Sequence, residues 1–222
     1  MANNQRIGAI PMLENVATWQ NLMFLYRSGM REVCTKLEII NDQFENTYNY
    51  SPIQTIKSRL KKPESIANKL KRHGLDVNMQ NMVEHIMDIA GVRLVCSFTA
   101  DIYRLADMIL QQKNFEIIRI KDYISNPKPS GYRSYHIILK VPVLTLDGTE
   151  EVPVEIQIRT IAMDFWATLE HRIQYKFEGE APDYISRDLR TCADIVASLD
   201  EKMLSLNDEI NEISARNSQA DM

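Results

Sequence analysis

Between Val152 and Thr160 the chain reads Val-Pro-Val-Glu-Ile-Gln-Ile-Arg-Thr, so that Val152, Val154, Ile156 and Ile158 alternate with Glu155, Gln157 and Arg159. A β-strand sends successive side chains to opposite faces, and this segment therefore sets an acid, an amide and a guanidinium in one row. Such a row is costly on a sheet unless water, a metal or a ligand meets it. The chain is expected to handle a charged, phosphorylated ligand.

The elements around that strand can be read from periodicity. Trp19, Met23, Tyr26, Met30, Val33, Leu37, Ile40 and Phe44 step by threes and fours, as do Leu189, Cys192, Val196, Leu199, Met203, Leu206, Ile210 and Ile213. Both series predict long amphipathic helices with a heptad-like seam. Pro52 interrupts the chain after the first, and Pro63 can open a short helix on which Ser65 and Lys69 share a face. Met79 to Ile89 reads as a helix, Val92 to Phe98 as a buried strand, Asp101 as the cap of a helix to about Gln112, and Phe115 to Ile120 as a strand. After a loop, Tyr135 to Val143 and Val152 to Arg159 form two strands joined at Asp147-Gly148. Thr160 then caps a helix to about Tyr175. Strands interleaved with helices, one hairpin among them, predict an α/β (α+β) chain with a mixed central sheet flanked by helices.

No repeat or low-complexity linker divides the chain, and its 222 residues, 45% hydrophobic, suffice for one core. The expected organisation is one structural domain: an N-terminal helical segment over 1–50, a core over 51–177, and a C-terminal amphipathic helix with an acidic tail over 178–222. The N-terminus lacks a signal-peptide pattern, and the longest apolar stretch, Ile137 to Leu146, contains Lys140 and is too short to cross a bilayer. A cytoplasmic protein with no membrane partner is expected. Cys34, Cys96 and Cys192 are far apart and show no C-x-x-C spacing, which argues against both a disulfide framework and a zinc cage.

The net charge of −4 is unevenly spread. Lys57 to Arg72 holds seven cations against Glu64 alone, and Arg119 to Lys140 holds five against Asp122 alone, while the tail after Phe177 has eleven acids against four cations. An acidic protein with two local basic segments suits a small polyanion better than a long nucleic acid.

Three stretches can carry chemistry. Asp88 stands where a helix gives way to a central strand; if that strand neighbours the one bearing Glu155, the two carboxylates can share Mg²⁺ with phosphate oxygens. Taken singly, Asp88 reads better as a capping or turn residue, whereas Glu155, flanked by Gln157 and Arg159, reads better as a site than as the solvated side of an edge strand. The segment from Lys57 through Pro63 to Lys69 brings cations and a hydroxyl to a helix N-terminus, which favours a triphosphate, although a charge run is also the ordinary make-up of a solvated surface. Ser130-Gly-Tyr-Arg-Ser-Tyr-His136 leads from a loop into a strand, with Gly131 allowing close backbone approach, Tyr132 able to stack on a base, and Arg133 and His136 able to reach phosphates. Aromatic residues entering a strand also serve as core. The seven glycines form neither G-x-G-x-x-G nor a Walker loop.

Together, Arg59-Leu-Lys-Lys-Pro-Glu-Ser65 with Lys69, Asp88-Ile-Ala-Gly-Val-Arg93, Ser130 to His136, Val154-Glu-Ile-Gln-Ile-Arg-Thr160 and Met163 to His171 resemble the synthetase domain of the RelA/SpoT family, the (p)ppGpp synthetases, and in particular its small synthetase-only members. The resemblance implies a nucleotidyltransferase-like fold and transfer of the β,γ-pyrophosphate of ATP to the ribose 3′-oxygen of GTP or GDP, releasing AMP. It implies that Asp88 and Glu155 are the catalytic, Mg²⁺-holding carboxylates. It also implies that Arg59 and Arg93 flank adenine and that Lys61, Ser65 and Lys69 contact the ATP phosphates. Tyr132 would stack on guanine, Lys121, Lys128, Arg133 and His136 would steady the acceptor phosphates, and Gln157 and Asp164 would contact the acceptor. A homotetramer is implied too. With no His-Asp dipeptide in the chain, hydrolysis of the product is not expected. The competing class is a catalytically weak nucleotide- or RNA-binding regulator; the acidic total and the lack of aromatics within Lys57 to Arg72 disfavour the RNA role.

Overall fold

The computed structural model describes residues 16–176 and 182–220. Its element order is α1 (Val16–Tyr48), β1 (Ile53–Leu60), α2 (Pro63–Arg72), α3 (Met79–His85), β2 (Ala90–Cys96), α4 (Thr99–Leu110), β3 (Glu116–Asp122), β4 (Tyr135–Thr145), β5 (Gly148–Thr160), α5 (Ile161–Lys176) and α6 (Asp183–Ala220). The strands form one sheet in the order β1-β2-β5-β4-β3. β2 and β5 run parallel and the other neighbours antiparallel, so the sheet is mixed, as expected.

One face of the sheet makes the core. Val92, Leu94, Ile137, Leu139, Val154, Ile156 and Ile158 are buried in a single cluster with Val33 and Leu37 of α1 and Ile102, Leu105 and Ile109 of α4. Each such aliphatic side chain contributes about 1.5–3 kcal/mol by leaving water. The approach of α1 is close at Gly29, where a Cβ would fall 2.8 Å from Val152 Cγ1. The heptad-like seam of α1 is thus consumed within the chain, with Tyr26, Val33, Leu37, Ile40 and Phe44 all buried. That of α6 is not: Leu199, Met203, Leu206, Ile210 and Ile213 remain 41–62% exposed.

β1 goes beyond what periodicity predicts. It is an edge strand with only Ile53 buried, and its alternation of Ile56, Ser58 and Leu60 with Lys57 and Arg59 is masked by the charge run. Asp101 sits inside the first turn of α4 rather than at its cap, where its Oδ2 accepts from Phe98 N at 3.2 Å. The β4–β5 loop is Leu146-Asp147, because Gly148, at φ +131°, already begins β5 opposite Thr145. α3 ends at His85, short of Ile89, leaving a turn that carries Asp88. Thr160 does cap α5, its Oγ1 accepting from Met163 N at 3.0 Å. All three cysteines are free, and burial pushes the Cys96 thiol up to about 12. No described helix is long and apolar enough to cross a membrane.

Candidate active site

The opposite face of the same strands carries the polar residues, and register brings them together. Across β1, β2, β5 and β4, Arg59 stands beside Gly91 and Glu155, and Lys57 beside Arg93, Gln157 and His136. Lys57, Arg59, Gly91, Arg93, Glu155 and Gln157 line a cavity of about 210 Å³, which Asp88 enters from the turn before β2. The parallel pairing of β2 with β5 is the neighbour relation that the two-carboxylate reading required. A larger recess of about 550 Å³ lies between the end of α1 and α4, lined by Phe44, Tyr48, Arg104 and Met108 among others. It contains no carboxylate, so the chemistry belongs to the smaller cavity.

Each carboxylate has its own pair of partners. Lys61 Nζ donates to Asp88 Oδ2 at 2.7 Å, and Lys69 Nζ lies 2.9 Å from Oδ1 as an ion pair without hydrogen-bond alignment. Burial pushes the Asp88 carboxyl up, but the two ammonium groups outweigh it and hold the group below the usual carboxylate range. Glu155 accepts from Gln157 Nε2 at 2.8 Å and from His136 Nδ1 at 3.0 Å. There too burial acts upward, with help from the nearby Asp88 charge, and the His136 and Gln157 contacts still hold the group low. Both carboxylates are therefore ionised at neutral pH.

Beyond Glu155 the face becomes a connected polar network. Because an ionised Glu155 only accepts, His136 uses its Nδ1–H there; in the neutral ring Nε2 then accepts from the Tyr132 hydroxyl, 2.9 Å away. Arg159 Nη2 in turn donates to that hydroxyl at 2.6 Å and to Gln157 Oε1 at 3.2 Å. Its Nη1 and Arg93 Nη1 both reach Asp164 Oδ1 at 3.1 Å, and Lys57 Nζ is 3.9 Å from Oδ2. The Tyr132 ring has Lys128 Nζ at 4.7 Å and Arg159 Cζ at 5.0 Å from its centroid, and Tyr123 meets it edge-on.

Most expected site residues thus fall in one contiguous region. Arg59 is exposed beside the cavity, Lys61 and Lys69 hold Asp88, and Ser65 is exposed on α2 one turn before Lys69. Lys121 is exposed on β3 in register with His136. Arg133 is turned elsewhere, its Nη1 donating to Ile124 O at 2.9 Å. Two residues given no role from sequence matter here. In sequence Lys57 is one charge of a run. Arg159 was seen in the polar row, but its near-complete burial, which obliges a guanidinium to find several acceptors, shows only in three dimensions.

The residues also fit a divalent cation that binds with its nucleotide. Asp88 and Glu155 are ionised and line one cavity, and Asp88 Oδ1 is buried without a hydrogen bond. Among the described residues no group of three or more His, Cys, Asp or Glu could form an all-protein cage. Two carboxylates plus ligand oxygens is the pattern preferred by Mg²⁺.

The chain is similar to known proteins in sequence and in fold. Residues 58–180 match the model of the region found in RelA / SpoT proteins. GTP pyrophosphokinase YwaC of Bacillus subtilis is 45% identical over 193 residues, spanning 87% of this chain and 92% of that protein. Small alarmone synthetase 1 of Bacillus subtilis bound to its product pppGpp superposes with a TM-score of 0.80 at 36% identity, over 87% of this chain and 98% of that one. The same synthetase bound to AMPCPP gives a TM-score of 0.74 at 32% identity, over 88% and 99% of the two chains.

Proposed function

The chain belongs to the RelA/SpoT family, and from that premise we propose that it is a GTP pyrophosphokinase of the small alarmone synthetase kind. It moves the β,γ-pyrophosphate of ATP to the ribose 3′-hydroxyl of GTP or GDP, yielding (p)ppGpp and AMP. The observation that carries this reading is the meeting of two ionised carboxylates, Asp88 and Glu155, in one cavity between a cation-rich strand and helix on one side and a Tyr-His-Arg network on the other. The relatives bound to pppGpp and to the ATP analogue AMPCPP support nucleotides as the ligands.

In-line displacement at the β-phosphorus demands positioning, neutralisation of charge and a competent hydroxyl nucleophile. Arg59 and Arg93 flank the donor base, and Lys61, Ser65 and Lys69 meet its phosphates. Lys61 and Lys69 exchange part of their contact with Asp88 for phosphate oxygens on binding. Tyr132 receives guanine on a ring already bordered by two cations, while Lys121, Lys128 and His136 steady the acceptor phosphates, with Gln157 and Asp164 beside them; Arg133, expected to join them, would first have to leave Ile124 O. Asp88 and Glu155 would hold Mg²⁺, which supplies Lewis-acid neutralisation of the transferring phosphates. A carboxylate held below its usual range is a weak base for a ribose hydroxyl, so Glu155 orients that hydroxyl and takes its proton late.

The direct test is incubation with Mg²⁺, ATP and GTP, followed by separation of the nucleotides. AMP and guanosine pentaphosphate should form in equal amounts without free pyrophosphate; ADP or inorganic pyrophosphate in their place would end the assignment. We also propose a homotetramer, supported by the exposed apolar stripe along α6. Light scattering at micromolar concentration should give four times 25.7 kDa, and a mass at one or two times that value would refute it.

A further inference from the structure

We infer that α6, which contributes no residue to the cavity, is the wall that fixes the acceptor loop, and that Arg190 and Ala193 are positioning residues for the guanine nucleotide. The inference rests on the acceptor reading of residues 126–136. The loop leans on one face of α6. Gly131, at φ +88°, is buried so tightly that a Cβ there would fall 2.4 Å from the Ala193 Cβ and 3.0 Å from Arg190 Cδ. Arg190 Nη1 donates to Pro129 O at 3.1 Å, and its Nε is held 3.4 Å from the Asp194 carboxylate one turn further on. The Tyr132 ring packs with Trp166, Ala167 and Ala193 in a small cluster separate from the main core.

α6 is itself anchored at both ends of this contact. Trp166 Nε1 donates to Leu189 O at 3.0 Å, and the Thr160 hydroxyl donates to Asp200 Oδ2 at 2.6 Å. The helix is thereby fastened to the end of β5 and to α5, and the loop to the helix. Within the loop the internal ties are few: Gly131 N to Lys128 O at 2.8 Å, Lys128 N to Tyr132 O at 3.2 Å and Tyr132 N to Ser130 Oγ at 3.4 Å. A segment with so little hydrogen bonding of its own takes its position from what it leans on. The orientation of Tyr132 is accordingly set from two sides, at its hydroxyl by Arg159 and His136 and behind the loop by α6, the second of which lies outside the family-matched residues.

The test is steady-state kinetics with each substrate varied in turn, on the full chain. Arg190→Ala should raise KM for GTP by roughly fivefold, the scale of one lost solvent-exposed hydrogen bond. It should leave kcat and the KM for ATP within about twofold, and Arg190→Lys, which keeps a donor, should recover much of the loss. Ala193→Leu, which pushes Gly131 away, should act in the same direction and more strongly. A merely structural role would instead lower Tm and degrade both substrates together, and that result overturns the inference. It is equally overturned if both α6 variants keep a normal KM for GTP while Tyr132→Ala raises it, which leaves the acceptor reading standing. If Tyr132→Ala itself leaves that KM unchanged, the acceptor reading fails and this inference falls with it.

Discussion

On β5 a single strand meets opposite demands. Its Val154, Ile156 and Ile158 are wholly buried under α1 and α4, where any aliphatic residue of the right volume would serve. Its Glu155, Gln157 and Arg159 look the other way into a set of directional contacts, in which each donor has a particular acceptor. The first face holds the sheet together and is indifferent to chemistry. The second is assembled by the first, because register alone lines up Arg59, Gly91, Glu155, Gln157 and His136 across four strands. Stability and activity should therefore separate by face, and substitutions on alternate residues can break that claim.

The largest effect belongs to the carboxylates. Glu155→Gln and Asp88→Asn should each lower turnover by about a hundredfold or more, since several kcal/mol of charge stabilisation go with a metal-holding carboxylate. Tm should stay within a few degrees of the parent. Near-normal rates in either variant would remove it from the catalytic set.

Next comes the core face. Ile156→Ala, one residue along from Glu155, should cost about 2–5 kcal/mol in urea unfolding by leaving a cavity between the sheet and its covering helices. The fraction that remains folded should keep both KM values. A loss of activity beyond the loss of folded protein would show that the faces are not independent. The third comparison lies within the polar face. Arg59→Ala should raise KM for ATP more than for GTP, and Tyr132→Ala the reverse, by roughly tenfold if stacking contributes on the order of 1–3 kcal/mol. Equal effects on both substrates would merge the two proposed pockets into one.

How far the sequence reaches follows from the same contrast. Period-2 alternation and the 3.6-residue period depend only on backbone geometry, so four of the five strands, the two long helices and the polar row were readable directly. β1 escapes because a solvent-edge strand buries almost nothing and its weak alternation is hidden in a charge run. The expected site residues were readable as charge and motif, but their partners were not. Nothing local tells that Asp164 will join Arg93 with Arg159, or that an α6 arginine will reach Pro129 some sixty residues earlier. Such pairings are products of topology. The two heptad-like seams looked alike in sequence for the same reason, and only packing shows that α1 uses its seam within the chain while α6 leaves most of its own exposed.

The smallest effect is the response of stability to acid, and it separates the cavity from its surroundings by sign. Asp200 and Glu170, in α6 and α5, are pushed up by burial, against which Thr160 and Arg133 for the one, and His171, Lys128 and Arg159 for the other, act only in part. A carboxyl raised in the folded state binds its proton more tightly there than in the unfolded chain. As pH falls through its folded value, folding gains stability, and that gain is complete below the unfolded value near 4. Asp88 and Glu155 are displaced the opposite way, so the stability they contribute is present above their unfolded values near 4 and is lost as pH falls through their lower folded ones. Unfolding free energy measured from pH 7 downward should therefore rise slightly in the mildly acidic range before it falls. Asp200→Asn, whose amide oxygen can still accept from Thr160, should flatten the rise, and Glu155→Gln should make the later fall shallower. Identical acid profiles for Glu155→Gln and the parent would mean that the His136 and Gln157 contacts do not hold Glu155 in its charged form, and with that the relay from Arg159 through Tyr132 would lose its anchor.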